Sequence, residues 1–163
     1  MSESAGGRFD LEVTIAPEAF DSSDARRLVA ALDAHLASRY ADDERHGPNL
    51  KSHHVAPGLG RFLVARADGR AVGCGAIRRL DGTTAEVKRM YVEPDLQGRG
   101  VGKQILEALE AVARELGTNR LVLETGIYQA EAIALYRRAG FKPVRCWGEY
   151  EATLTSVCFE KTI

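Results

Sequence analysis

Three glycines alternate with other residues in a short segment that could bind a phosphate group: Gly98, Gly100 and Gly102. They follow a run typical of a strand and precede an amphipathic helical pattern. Glycine lets backbone N–H groups approach an anion closely, and a helix N-terminus adds positive partial charge. Arg99 and Lys103 flank the turn and could add full charges. The segment is therefore a candidate site for a diphosphate.

Two common phosphate-binding motifs do not fit this turn. In a dinucleotide-binding G-x-G-x-x-G motif, the third glycine would fall on Lys103, or on Ile105 if the motif began at Gly100. In a Walker A loop, Gln97 stands in place of the first glycine, and Gln104 replaces the Ser or Thr that binds magnesium. The alternative is a glycine-rich connection without a ligand. The strand before the turn and the helix after it favour the ligand.

The apolar pattern of the chain predicts the elements that position this turn. Alternation or helical spacing defines each element, and turns rich in Gly, Pro or Asp separate them. Strands are expected at 11–15, 61–67, 71–80, 85–92, 121–125, 142–147 and 153–161, and helices after an N-cap among residues 21–24, at 101–116 and at 130–139. Gly117 and Gly140 stand where glycine ends the last two helices. Residues 41–60 form a long polar loop.

The order of these elements predicts an α/β fold with a mixed sheet. Asp-Gly turns join three consecutive strands into an antiparallel meander. The third of these strands reaches the strand at 121–125 through a helix, so those two must be parallel. Helices then cover both faces of the sheet. Ligands bind such sheets where strand direction changes, near the carboxyl ends of the strands, which is where the glycine turn lies.

Four motifs in a fixed order give the glycine turn a family context. They lie within residues 86–102, 123–126, 129–136 and 140–141. Together they resemble the GNAT superfamily of N-acetyltransferases, whose cofactor motif is Gln/Arg-x-x-Gly-x-Gly/Ala after a strand. The resemblance extends from about Gly73 to Phe141. It implies a GNAT-like fold and transfer of an acetyl group from acetyl-CoA to a primary amine, by direct attack in a ternary complex.

The resemblance also implies how the cofactor is bound. In the family, backbone N–H groups of the turn hold the CoA pyrophosphate, and the preceding strand splays from the next one and pairs with the pantetheine arm. The corresponding residues are Met90, Tyr91, Val92, Gln97, Gly98, Arg99, Gly100, Val101, Gly102, Lys103, Gln129 and Tyr136. The N–H of Met90 would face the thioester oxygen and stabilise its developing charge. Gln129 stands where many members carry Asn.

Three residues are expected to be catalytic on the same grounds. Tyr136 matches the family's tyrosine near the sulfur and would protonate the departing thiolate, unless it is only a core tyrosine. The substrate ammonium, with an ordinary pKa of about 10.4, must lose a proton before it attacks. Glu86 occupies the position of the glutamate of histone acetyltransferases, and Glu124 that of N-terminal peptide acetyltransferases. We favour Glu86 as the base, and water could relay the proton to either.

The acceptor is expected to be a small-molecule amine, because no groove or acidic run for a peptide is recognisable. A peptide or protein N-acetyltransferase and a non-catalytic acyl-CoA sensor are the alternatives. Arg78 and Lys88 are either solvated or point into the substrate cleft and select an acidic group. Trp147, Tyr150 and residues 156–159 either line the acceptor pocket or form a contact in a homodimer.

Length and composition exclude several other function classes. The 163 residues fit one domain, 1–163, with residues 1–8 expected to be flexible. A net charge of −1 without a basic stripe argues against a nucleic-acid partner. The chain has neither an 18-residue apolar run nor a signal-peptide pattern. We therefore expect a cytoplasmic protein that does not bind membranes.

The cysteines and histidines do not form a recognisable disulfide or metal pattern. The cysteines are odd in number and widely spaced, at positions 74, 146 and 158, which argues against a disulfide framework or a zinc knuckle. Cys74 and Cys158 lie in apolar runs and are expected to be small core residues. His46, His53 and His54 fall in the long loop without the spacing of a helical zinc site, so no metal is expected.

Overall fold

The computed structural model of the protein describes residues 10–41 and 49–163. The expected flexible segment 1–8 and His46 lie outside these residues. The strands are β1 (Thr14–Pro17), β2 (Gly60–Ala67), β3 (Arg70–Arg79), β4 (Thr84–Val92), β5 (Arg120–Gly126), β6 (Lys142–Val144) and β7 (Ser156–Thr162). The α-helices are α1 (Ser23–Arg39), α2 (Val101–Glu115) and α3 (Ala130–Arg138), and short 3₁₀ helices span Ser52–Val55, Pro94–Leu96 and Gly148–Ala152.

In the described part of the chain the strands form one mixed sheet, in the order β1-β2-β3-β4-β5-β7-β6. Strands β1 to β4 pair antiparallel, and β4 and β5 pair parallel. Strand β7 pairs antiparallel with both β5 and β6. Helix α2 makes the crossover from β4 to β5 that a parallel pair requires. The expected fold, an antiparallel meander followed by a parallel β-α-β crossover, is confirmed.

The edges of the sheet differ from the prediction. The first strand begins at Thr14 rather than at residue 11, because Leu11 is bound to the start of α2. The Leu11 N–H donates to the Arg99 carbonyl at 2.8 Å, and the Leu11 carbonyl accepts from Gln104 Nε2 at 2.9 Å. The strands predicted at 142–147 and 153–161 are shorter, since the 3₁₀ helix Gly148–Ala152 occupies the connection between them.

The helix ends follow the expected capping chemistry. Ser22 is the N-cap of α1, and its Oγ accepts from the Ala25 N–H at 3.1 Å. Helix α3 ends in a Schellman motif at Gly140, where the Phe141 N–H donates to the Tyr136 carbonyl at 3.0 Å. None of the helices within residues 10–41 and 49–163 has the length and apolar content needed to cross a bilayer.

Helices pack on both faces of the sheet and form two cores. The core on the α2 and α3 side includes Ile105, Leu109 and Tyr136, and the core on the α1 side includes Leu28. Helix α2 packs directly on β3, where a Cβ added to Gly75 would lie 2.8 Å from a methyl group of Ile105. This close contact brings the N-terminus of α2 to the end of β4.

The expectation for the cysteines is wrong in one respect, because Cys146 and Cys158 form a disulfide. Cys158 is buried, as expected for a core residue, but it is covalently paired. The pairing of β6 with β7 places Val144 opposite Cys158, so Cys146 lies close to Cys158 in space despite the wide spacing. Cys74 is unpaired and buried, and burial raises the pKa of its thiol to about 12.

Candidate active site

The gap between β4 and β5 opens the sheet at its centre. The two strands pair only through Thr84–Arg120, Ala85–Leu121 and Glu86–Val122, whereas β5 stays paired with β7 along its length. Beyond Glu86, the edge of β4 that faces β5 has no partner strand among the described residues. Because backbone N–H and C=O groups are obligatory hydrogen-bonding groups, this edge can bind an extended ligand.

A β-bulge in β4 sets the direction of this free edge. Arg89 and Met90 together stand opposite Gly75 of β3, and Arg89 has a left-handed φ of 56°. A non-glycine residue in that region costs about 1–3 kcal/mol, and such strain clusters at functional sites. The bulge reverses the alternation of side chains, so Met90 packs on the α2 side. The Arg89 guanidinium points to α1 instead and donates to Asp33 Oδ1 at 2.9 Å.

The glycine turn connects the free edge to α2. Gly98 and Gly100 have φ values of 76° and 79°, which glycine adopts without strain. Gly100 is the N-cap of α2 and provides no side-chain cap, so the first N–H groups of the helix remain available to an anion. Gly100 also lies against the carboxylate of Asp10, and an added Cβ would lie 2.5 Å from Asp10 Cγ. The backbone conformation therefore favours glycine at position 100, whereas the exposed Asp10 side chain could move aside.

A groove of about 840 Å³ extends from the glycine turn past β4 to α3. It is lined by these expected cofactor-binding residues: Met90, Tyr91, Val92, Gln97, Gly98, Gly100, Val101, Gly102, Lys103, Gln129 and Tyr136. Arg99 does not line it, and its carbonyl instead accepts from Leu11. Unbonded amides at one end and a free strand edge beside them fit a long ligand with a diphosphate and an amide-containing arm, as acetyl-CoA has.

Tyr136 lines the groove from α3 and has no hydrogen-bond partner for its hydroxyl among the described residues. Its ring packs edge-on against Phe141, with 5.8 Å between the ring centroids, and only 5% of the residue is exposed. Burial, and secondarily the carboxylate of Glu124, raise the pKa of Tyr136. The hydroxyl therefore keeps its proton at neutral pH and is able to donate it.

Glu86 is buried in a polar cluster on the α1 side of the sheet, with 1% of the residue exposed. Its Oε1 accepts from Arg78 Nε at 3.0 Å, and its Oε2 accepts from the Tyr150 hydroxyl at 3.0 Å. Lys88 Nζ donates to the same hydroxyl at 2.9 Å. His54 Nε2 lies 3.2 Å from Arg78 Nη1, and burial, followed by the Arg78 charge, lowers the pKa of His54. Both oxygens of Glu86 are therefore held by the protein.

Glu124 stands across the gap from this cluster, near the carboxyl end of β5. Ser156 Oγ donates to its Oε1 at 3.0 Å, and no described residue bonds to its Oε2. Burial raises the pKa of Glu124, while the Ser156 hydrogen bond and the charge of Lys88 oppose that rise. A carboxylate with a raised pKa and a free oxygen has the properties of a general base at neutral pH.

The start of α3 is held by the end of α1, a contact that the sequence did not reveal. Gln129 Oε1 accepts from Arg39 Nη1 at 3.3 Å, so its amide is used partly within the protein. Arg39 also forms two hydrogen bonds of 2.9 Å with Glu131 and lowers the pKa of that carboxyl to about 2. The Tyr40 hydroxyl accepts from the Tyr128 N–H at 2.9 Å. These contacts fix the wall of the groove that carries Tyr136.

Sequence reasoning left the roles of Tyr150 open and missed that of Ser156. Tyr150 is buried beside Glu86, whereas either a pocket or a dimer contact was expected. Ser156 bonds to the second candidate base. Both residues lie in the segment that the Cys146–Cys158 disulfide closes, so the cysteine pair was the one signal that could have linked them. Within residues 10–41 and 49–163, no three His, Cys, Asp or Glu side chains are grouped as metal ligands.

Comparisons with known proteins agree with this geometry. The model of the acetyltransferase (GNAT) family matches residues 23–141. The IAA acetyltransferase of Azospirillum brasilense is 41% identical over 152 residues, which are 93% of this chain and 98% of that relative. A crystal structure from Klebsiella pneumoniae, of a protein classed as an acyl-CoA N-acyltransferase, has a TM-score of 0.80 and 36% identity. The match covers 92% of this chain and 97% of the other.

A structure with a bound cofactor shares the fold. The GNAT acetyltransferase of Elizabethkingia anophelis, solved with acetyl-CoA bound, has a TM-score of 0.64 at 20% identity and covers 93% of this chain and 98% of its own. The family match and the relative from Azospirillum brasilense agree on acetyl transfer, and the groove fits acetyl-CoA. The chain belongs to the acetyltransferase (GNAT) family and is an acetyl-CoA-dependent N-acetyltransferase.

Proposed function

We propose that this enzyme acetylates the primary amine of a small molecule by direct attack in a ternary complex, within one domain of residues 1–163. Acetyl-CoA supplies the acetyl group as an activated thioester. The observation that carries the proposal is the placement of Glu124 and Tyr136 at the gap between β4 and β5. A carboxylate with a raised pKa and a protonated hydroxyl approach the gap from opposite faces of the sheet. One accepts and the other donates a proton, as amide formation requires.

Glu124 accepts the proton of the substrate ammonium at Oε2, to which no described residue bonds, directly or through a water molecule. Its raised pKa supports this role, because a base works best when its pKa approaches the working pH. The assignment departs from the preference for Glu86 that sequence position suggested. Both oxygens of Glu86 are bonded, so Glu86 is a positioning residue that holds Arg78 and Tyr150.

Tyr136 donates its proton to the departing thiolate. Tyr136 lines the groove, and its hydroxyl has no hydrogen-bond partner among the described residues. Its raised pKa keeps it protonated until charge develops nearby. The sensor alternative is disfavoured, because a binding-only protein has no need for an acid and a base with raised pKa values on either side of one gap.

The chain's backbone holds the cofactor. The N–H groups at the start of α2 bind the diphosphate, and Lys103, which lines the groove, adds a full positive charge. The free edge at Met90, Tyr91 and Val92 pairs with the amide-containing arm. The Met90 N–H faces the acetyl oxygen and stabilises the charge that develops there.

A small acceptor fits the α1 side of the gap better than a peptide does. The side chains of Lys88 and Glu86 are only 11% and 2% exposed, so a small head group reaches them more easily than a chain. We further expect the enzyme to act in the cytoplasm, with a homodimer as one candidate assembly. Light scattering of the purified protein measures the assembly.

The function is tested by incubating the protein with acetyl-CoA and two panels of acceptors, one of small primary amines and one of peptides with free N-termini. Thiol release gives the rate, and mass spectrometry identifies the acetylated product. We expect turnover with small amines. Turnover confined to peptides would refute the acceptor class, and CoA binding without any turnover would support the sensor.

A further inference from the structure

The side chain of Lys88 is 11% exposed, and its ammonium group is incompletely bonded within the described residues. An ammonium has three N–H donors, and Lys88 Nζ uses one of them for the Tyr150 hydroxyl at 2.9 Å. The nearest carboxylate oxygen, Glu86 Oε1, lies 3.9 Å away, beyond hydrogen-bond distance. Glu86 is bonded to Arg78 and Tyr150 instead. Two donors of Lys88 therefore have no acceptor among the described residues and can bond to a ligand.

Lys88 faces Glu124 across the gap. Glu86 and Val122 form the last pair between β4 and β5, and side chains two residues further along a strand point to the same face. Lys88 and Glu124 are those residues, one on each diverging strand. The two charges interact. Burial lowers the pKa of Lys88, and the carboxylates of Glu86 and, more weakly, Glu124 oppose that fall. Burial raises the pKa of Glu124, and the Lys88 charge opposes that rise. The mouth of the gap thus carries a cation on one wall and a carboxylate on the other.

The nearby carboxylates of Glu86 and Asp33 are bonded more closely to other cations than to Lys88. Glu86 pairs with Arg78, and Asp33 of α1 pairs with Arg89. Burial lowers the pKa of Lys88, and the carboxylate of Glu86, 3.9 Å away, only partly opposes that shift. A ligand with an anionic group would supply the acceptor that no described residue provides.

Building on the proposed function, we propose that the acceptor is an amine that also carries a carboxylate, and that Lys88 binds this carboxylate. The substrate ammonium lies at Glu124 and its carboxylate at Lys88, so the two walls of the gap match the two charges. Lys88 is then the residue that determines specificity among amines.

The test compares matched acceptors that differ only in the carboxylate. Phenylalanine, its primary amide and phenethylamine form one series, and β-alanine and ethylamine another. Values of kcat/KM are expressed per free amine, because the amine pKa differs between these compounds. One charge-assisted hydrogen bond predicts a preference for the carboxylate of about 10- to 100-fold.

Variants of Lys88 test whether this residue causes the preference for a carboxylate. Lys88→Met should abolish the preference, so that kcat/KM is about the same with and without the carboxylate. Lys88→Arg should retain the preference because the charge remains. Lys142→Met, which removes an exposed lysine of β6, controls for net charge and should leave the preference unchanged. Equal use of all members of a series by the wild type, or a full preference in Lys88→Met, would overturn the proposal.

A measurement on the wild type keeps the proposal testable if Lys88→Met does not fold. 3-Phenylpropanoate should inhibit competitively against phenylalanine, and 3-phenylpropanol should not; equal inhibition by both contradicts the proposal. Failure of the proposed function gives a different result. In that case no small amine is acetylated, whereas failure of this inference alone leaves amines acetylated without regard to their carboxylate.

Discussion

Replacing each glutamate at the gap with glutamine separates the base from the positioning residue. Glu124→Gln removes the proposed base, so kcat/KM should fall by about 10²- to 10⁴-fold. The wild-type rate should fall as the pH drops through the raised pKa of Glu124, because only the ionised carboxylate accepts a proton. Glu124→Gln should lose this acidic limb. Glu86→Gln should retain it.

The stability of the two variants should change in opposite ways. Glu86 pairs with Arg78 at 3.0 Å, with side chains 2% and 19% exposed, and breaking such a buried pair costs about 3–5 kcal/mol. For a domain of this size about 2–4 °C of Tm is lost per kcal/mol, so Glu86→Gln should melt about 6–20 °C lower. The folded pKa of Glu124 is raised, so its ionisation destabilises the fold as the pH rises through that pKa. Glu124→Gln should therefore melt at the same temperature or higher at neutral pH.

The release of free thiol measures the rates across the pH range, and circular dichroism measures the melting temperatures. The two variants control for each other, since each replaces one carboxylate oxygen with a nitrogen. The reasoning is refuted if Glu124→Gln keeps the wild-type rate and acidic limb while Glu86→Gln loses them. That outcome would return the role of the base to Glu86.

Three further changes test other parts of the site. Gly102→Ala places a methyl group in the groove and should weaken CoA binding by about 10-fold or more in calorimetry, whereas Gly82→Ala, in open space, should not. Tyr136→Phe should lower kcat by about 10²-fold or more without weakening CoA binding, and Tyr128→Phe, at an exposed tyrosine, should leave kcat unchanged. Cys146→Ser opens the disulfide and should lower the free energy of unfolding by about 3 kcal/mol. It should also raise the KM for the amine. A reductant acting on the wild type should have the same two effects. An unchanged denaturation curve after either treatment would contradict a structural role of the disulfide.

The sequence predicted most of the fold because its local signals are strong. Asp-Gly turns marked the meander, and Gly140 marked the end of α3 in the conformation that glycine favours. The first strand was misplaced because Leu11 alternates like a strand residue, yet its backbone bonds to the start of α2. A pattern of side chains does not record such a backbone contact.

The site was predicted unevenly for the same reason. The glycine turn is contiguous in sequence, so its place at the groove could be expected. The bulge at Arg89 was not predicted. A signal for it was present, because strict alternation from Val87 would have turned the charged side chain of Arg89 into the α2 core. The partners of the two glutamates, Tyr150 and Ser156, come from a segment far along the chain. Only the pairing of β7 with β5 brings them to the gap.

The proposed mechanism depends most on where the cofactor binds, and a crystal structure of the protein with acetyl-CoA tests this binding site directly. We predict density for the diphosphate on the backbone N–H groups of residues 98–103, and the thioester in the gap between Met90 and Tyr136. Density for the diphosphate at any other place on the protein, with residues 98–103 free of ligand, would contradict the account.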